Sequence, residues 1–303
     1  MKQRYDMRCQ ACYTFGEVDG DYFEQQATAV MDKLAGEEDI PFTIIALDDP
    51  GQCEEAFEEI PVEERKEFLE TCRGSETSVS FRAGDQEFIV LKADKEFLSD
   101  DPAALRGLLA HELMHTVQRD DELGERIEDA ARRYEDEMLA SLRESGLSDE
   151  DSNRFIETVF QTAIFTLKDL FTNRDLIEQG FAEELEAYYR HMLGIESFCP
   201  SPDFYGEEAE VDEIQDAVTF ELGLLPAWLP FEARESERSS AIRDRIEECY
   251  EDEVPRVAAY VHRLEELYDK RMDDAPDEFM DAFFEQVIEH SIDLMQDADE
   301  DAG

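Results

Sequence analysis

Residues 111–115 read His111-Glu112-Leu113-Met114-His115, an H-E-x-x-H spacing, in a chain with only 5 histidines among 303 residues. On a helix the two histidines lie one turn apart on one face. Both imidazoles can then reach a single cation while Glu112 stands beside it. This is the arrangement that zinc-dependent peptide hydrolysis requires: two nitrogen donors, an open position for water, and a carboxylate to take the proton of that water. Zn2+ is therefore the expected cofactor, His111 and His115 its expected ligands, and Glu112 the expected general base. Against this stands a reading of another class, a helical interaction module in which the spacing is incidental.

Two imidazoles and a water do not hold catalytic zinc; a third protein ligand is needed. No histidine follows at the H-E-x-x-H-x-x-G-x-x-H spacing, because positions 116–121 are Thr, Val, Gln, Arg, Asp and Asp. The later segment Leu176-Ile177-Glu178-Gln179-Gly180-Phe181-Ala182-Glu183-Glu184 resembles the E-G-F-A type of motif in gluzincins, a branch of the zincin metallopeptidases. The resemblance spans about residues 75–195 and is partial, since Gln179 rather than Glu precedes Gly180. It implies a third ligand from a later helix packed close to the first. Glu178, which follows the apolar pair Leu176 and Ile177, fits best. Glu183 is the alternative, on a stripe with Gly180 and Ala187; Asp169 and Asp175 come after them. Tyr188, Tyr189 and His191 on the same segment are possible oxyanion donors. The implied activity is hydrolysis of a peptide or protein substrate by zinc-activated water. A catalytically inactive zincin-like regulatory or binding protein that keeps the metal site is the alternative.

The elements that must position these residues follow from periodicity and punctuation. An opening strand (6–15), a helix ended by Gly36 (21–36), a buried strand (41–47), a helix opened by Pro61 (61–72) and a hairpin (77–83 and 86–93, turning at Gly84-Asp85) lead to the motif helix. That helix starts at Asp100-Asp101-Pro102, a capping acid followed by proline in the first turn, and runs to about Gln118. Its leucines are expected in the core and its histidines in a cleft. Helices follow at 123–145, 152–171, 174–193, 207–222, 237–270 and 276–296, with Thr172-Asn173 read as a cap and 224–231 as an interruption holding Trp228 as a core plug. The fold class is α+β, a zincin-like small antiparallel or mixed sheet with an active-site helix, followed by a mostly helical C-terminal part. The domain reading is 1–197 catalytic, 198–296 helical, and 297–303 a disordered acidic tail.

Charge narrows the partners. The chain carries 80 acidic against 28 basic side chains, a formal net charge of -52, yet 42% of its residues are apolar. Regular apolar periods mark a folded protein with a carboxylate-covered surface rather than a disordered chain. The composition resembles that of halophilic archaeal cytoplasmic proteins, where a Debye length of about 3 Å or less screens self-repulsion. Duplex nucleic acid and anionic membranes are disfavoured as partners. The start MKQRYDMRCQACYTF has no apolar signal region, so a cytoplasmic location is expected. Cys9 and Cys12 form one C-x-x-C without a second close pair, which favours thiols over a structural zinc site. His262 and His290 are read as solvated.

Overall fold

The computed structural model describes residues 5–15, 19–47, 78–83, 86–92, 101–120, 123–194, 211–250, 254–272 and 274–301. The helix expected at 61–72, the turn at Gly84-Asp85 and the cysteines Cys53 and Cys72 lie outside the described residues. Two compact units emerge, one from 1–121 with 175–191, the other from 122–174 with 192–303. The division thus falls earlier than a boundary at 197, and the helices after the motif helix mostly join the second unit.

The first unit is built on a four-stranded sheet of β1 (Tyr5–Phe15), β2 (Ala35–Leu47), β3 (Val79–Ala83) and β4 (Gln86–Lys92), in the order β1-β2-β4-β3. β1 pairs with β2 and β2 with β4 in parallel; only β3 and β4 are antiparallel, with Phe81 opposite Phe88. The sheet is therefore mixed and mainly parallel, which corrects the antiparallel emphasis of the sequence reading. The reason is topological: helix α1 (Gly20–Leu34) carries the chain back so that β2 starts in the same direction as β1. Strand β2 begins at Ala35 and takes in Gly36, so that glycine does not end a helix cap. Phe42-Thr43-Ile44-Ile45-Ala46-Leu47 is buried throughout, as expected for a central parallel strand covered on both faces.

Helix α2 (Pro102–Asp120) carries the motif and packs on α1, β3 and β4. Asp101 caps it, its Oδ1 accepting from the backbone N–H of Ala103 and of Ala104, each at 3.0 Å. Leu105, Leu108, Leu109, Leu113 and Val117 enter the core as the periodicity required.

The second unit is helical: α3 (Leu123–Glu144), most of α4 (Asp149–Glu178), α6 (Val211–Arg234), α7 (Ser236–Cys249), α8 (Val254–Arg271) and α9 (Pro276–Asp301). Between α4 and α6 in the chain lies α5 (Ala182–Met192), which belongs to the first unit through residue 191. Three sequence readings change here. First, α4 is unbroken across Thr172-Asn173, and α6 is unbroken across Pro226 and Pro230. The two facts share a cause. A proline cannot donate to the carbonyl four residues back, so Pro226 frees the oxygen of Leu222 and Pro230 frees that of Pro226. The Thr166 hydroxyl donates to Leu222 O at 3.1 Å, and the Asn173 amide donates to Pro226 O at 2.9 Å. Asn173 is thus spent on a neighbouring helix instead of on a cap. Second, the expected helix 237–270 divides at Tyr250, and Pro255 sits in the first turn of α8, where its missing N–H costs nothing. Third, the acidic end is helical as far as Asp301 rather than disordered.

His290 also departs from expectation. It is 6% exposed, pairs through Nε2 with the buried carboxylate of Glu221, and meets Arg263 through Nδ1 at 2.9 Å. Tyr260 stacks on its ring at a centroid distance of 4.7 Å. His262, by contrast, is solvated, with its side chain 87% exposed. Among the described residues no helix is long and apolar enough to cross a membrane.

Candidate metal centre

Helix geometry places His111 and His115 one turn apart, and the side chains converge: Nε2 of one lies 3.1 Å from Nε2 of the other. The rings meet edge to face, with centroids 4.6 Å apart and planes at 89°. Two nitrogens bound tetrahedrally to one zinc, each at roughly 2.0–2.1 Å, stand about 3.3 Å apart. The observed spacing is close to that value, so the pair fits a shared zinc with little rearrangement. In the metal-free chain the same geometry suits an N–H···N bond in which one ring donates and the other accepts.

Burial differs from the cleft that the sequence suggested. His111 and Glu112 are 5% and 6% exposed, while His115 is half-buried. The leucine face of α2 is buried as well, so this helix is enclosed on nearly every side over 104–118. Glu112, next to His111 in the chain, is likewise buried on this helix.

Helix α5 supplies the neighbouring aromatic wall. Tyr188 lies against His111, ring centroids 5.9 Å apart, and Tyr189 lies against Tyr188 at 4.9 Å. Both tyrosines are buried; His191, one turn beyond Tyr188, is half-buried. Of the three expected oxyanion donors, Tyr188 is the one brought to the histidine pair by a described ring contact.

The segment around Gly180 forms a helix stop. The N–H of Phe181 donates to Leu176 O at 2.9 Å and that of Gly180 to Ile177 O at 3.0 Å, with Gly180 at φ +87°. This is the left-handed glycine stop of α4, and the same bonds close α3 at Gly146. Glu178 falls in the last turn before the stop and Glu183 in the first turn after it; both are exposed. Neither belongs to a group of potential metal ligands among the described residues. Asp175 is half-buried and accepts from the Gln118 amide at 3.0 Å.

Close helix approach comes instead from Gly107, four residues before His111. A Cβ there would lie 2.2 Å from the Glu184 carbonyl oxygen and 2.8 Å from Tyr188 Cβ. The sequence signal was present, a glycine in a leucine-rich helix at the histidine spacing, but no partner segment was legible to give it meaning.

A scan against protein-family models and searches of curated proteins and of solved structures found no match.

Proposed function

We propose that this chain is a zinc-dependent hydrolase of peptide bonds with a gluzincin-like site on a zincin-like α+β fold, acting on a peptide or protein substrate. The observation that carries the reading is the 3.1 Å separation of the two Nε2 atoms on a helix that also presents Glu112. His111 and His115 would hold the metal. Glu178 and Glu183, the carboxylates that the motif suggested for the third position, are both exposed, so the proposal rests on the two imidazoles and assigns no third ligand. Imidazoles are donors that suit zinc.

When bound, zinc supplies a Lewis acid that acidifies water and polarises a carbonyl oxygen. Glu112 takes the proton from the attacking water and returns it to the leaving amine. The Tyr188 hydroxyl is the side-chain donor proposed for the developing oxyanion. The carboxylate-rich surface supports a cytoplasmic setting of high potassium salt, in a cell of the halophilic archaeal kind, where assays belong.

The test is zinc stoichiometry after chelation and re-addition, followed by peptide turnover in multimolar KCl. One equivalent of zinc, lost in a His111→Ala, His115→Ala double variant, together with turnover, is the expected result. Zinc uptake without turnover of any peptide in a diverse library would leave a metal-binding regulatory protein as the better description. No uptake would end the metal-centre reading.

A further inference from the structure

Resting on that reading, we infer that Gly107 and Glu184 are positioning residues that set Tyr188 against His111 and so tune the metal centre. The contact is built from backbone. Gly107 is buried on α2, and its missing side chain lets the Glu184 carbonyl and Tyr188 Cβ occupy the space a Cβ would take, at 2.2 and 2.8 Å. Gly107 stands one helical turn before His111 and Glu184 one turn before Tyr188. The two helices therefore touch at one turn and deliver an imidazole and a phenol at the next.

The Glu184 side chain holds the register. Its carboxylate takes Lys33 of α1 at 3.0 and 3.1 Å and lies 3.9 Å from Arg106 of α2, while Arg106 donates to Gln26 of α1 at 2.9 Å. Lys33 also sits over the Phe181 ring at 4.0 Å, at the start of α5. Three helices are tied at one carboxylate that is 14% exposed. Partners beyond the metal ligands orient them, and their loss commonly weakens metal binding by about 10–100-fold.

The experiment titrates the full-length chain with zinc and with cobalt(II) alone, in multimolar KCl. Gly107→Ala forces α5 outward by roughly 1 Å to relieve the overlap. It is expected to bind zinc about tenfold more weakly and to change the visible spectrum of bound cobalt. Glu184→Gln, which keeps the shape and adds no atom, is expected to fold, with a smaller loss in the same direction; it carries the test if Gly107→Ala does not fold. In a Tyr188→Ala background the second substitution should cost no further affinity, because the effect passes through Tyr188. Unchanged zinc affinity and cobalt spectrum in both single variants would overturn the inference while leaving the metal centre intact. Additive losses in the Tyr188→Ala background would overturn it as well. A wild-type chain that takes up neither metal overturns the metal centre and this inference together.

Discussion

Each of the two units holds a buried histidine, and the neighbours of that histidine differ in kind. In the first, His111 turns Nε2 toward the same atom of His115. In the second, His290 stands between unlike partners, the carboxylate of Glu221 on one nitrogen and the guanidinium of Arg263 on the other. An arginine has no acceptor, so Nδ1 of His290 must accept and Nε2–H must donate to Glu221. That fixes one neutral tautomer with both nitrogens satisfied. Two imidazoles facing through like nitrogens share one hydrogen at best, and a cation takes both lone pairs at once. Burial is nearly equal, 5% for His111 and 6% for His290, so it does not separate a candidate ligand from a structural residue. The chemistry of the partner does.

This contrast can be broken most sharply at Glu112. Glu112→Gln should retain zinc and lower peptide turnover by about 10²–10⁴-fold; equal turnover would remove the base from the mechanism. The second unit should respond in stability instead. His290→Ala leaves the Glu221 carboxylate, 1% exposed, with Arg256 as its remaining partner at 3.3 Å. Denaturation in KCl is expected to show a loss of about 1.5–3 kcal/mol, with zinc uptake unchanged. His111→Ala should do the reverse, losing zinc at a smaller cost in stability. An exchange of these two phenotypes would undo the comparison.

Smaller effects test how the second unit holds its proline-bearing helix. Asn173→Leu strips the donor from Pro226 O in a fully buried setting and is expected to cost about 1–3 kcal/mol by the same measurement. Thr166→Val should do likewise at Leu222 O. The smallest effect is a titration. Burial, with Asp281 and Glu285 adding to it, pushes the Tyr134 phenol from 10.0 up to about 12. Its neutral form is favoured in the folded chain, so the folded state retains this proton when the unfolded state has lost it. Stability from this group is complete below pH 10 and declines as pH rises toward about 12. Ultraviolet difference titration of wild type against Tyr134→Phe should reveal one phenol ionising late; coincident curves would refute the assignment.

The sequence by itself determined the local arrangements. The H-E-x-x-H spacing fixes two imidazoles on one face wherever that segment is helical, and Asp101-Pro102 opens the helix that carries them. Gly146 closes α3 through its left-handed backbone, and the apolar runs 42–47 and 88–91 mark buried strands. Each of these depends on residues within a turn or a strand of one another, where period and steric allowance suffice. Tertiary structure decided the rest, because those choices turn on partners distant in the chain. Thr166 and Asn173 became caps for carbonyls that prolines had freed more than fifty residues away. Gly107 became a contact only once Glu184 lay on it, and the acids around Gly180 were drawn to solvent by a helix stop that the motif resemblance had masked. His290, indistinguishable in sequence from a solvated histidine, was buried by the arrival of Glu221 and Arg263, whose opposite charges make an enclosed imidazole affordable.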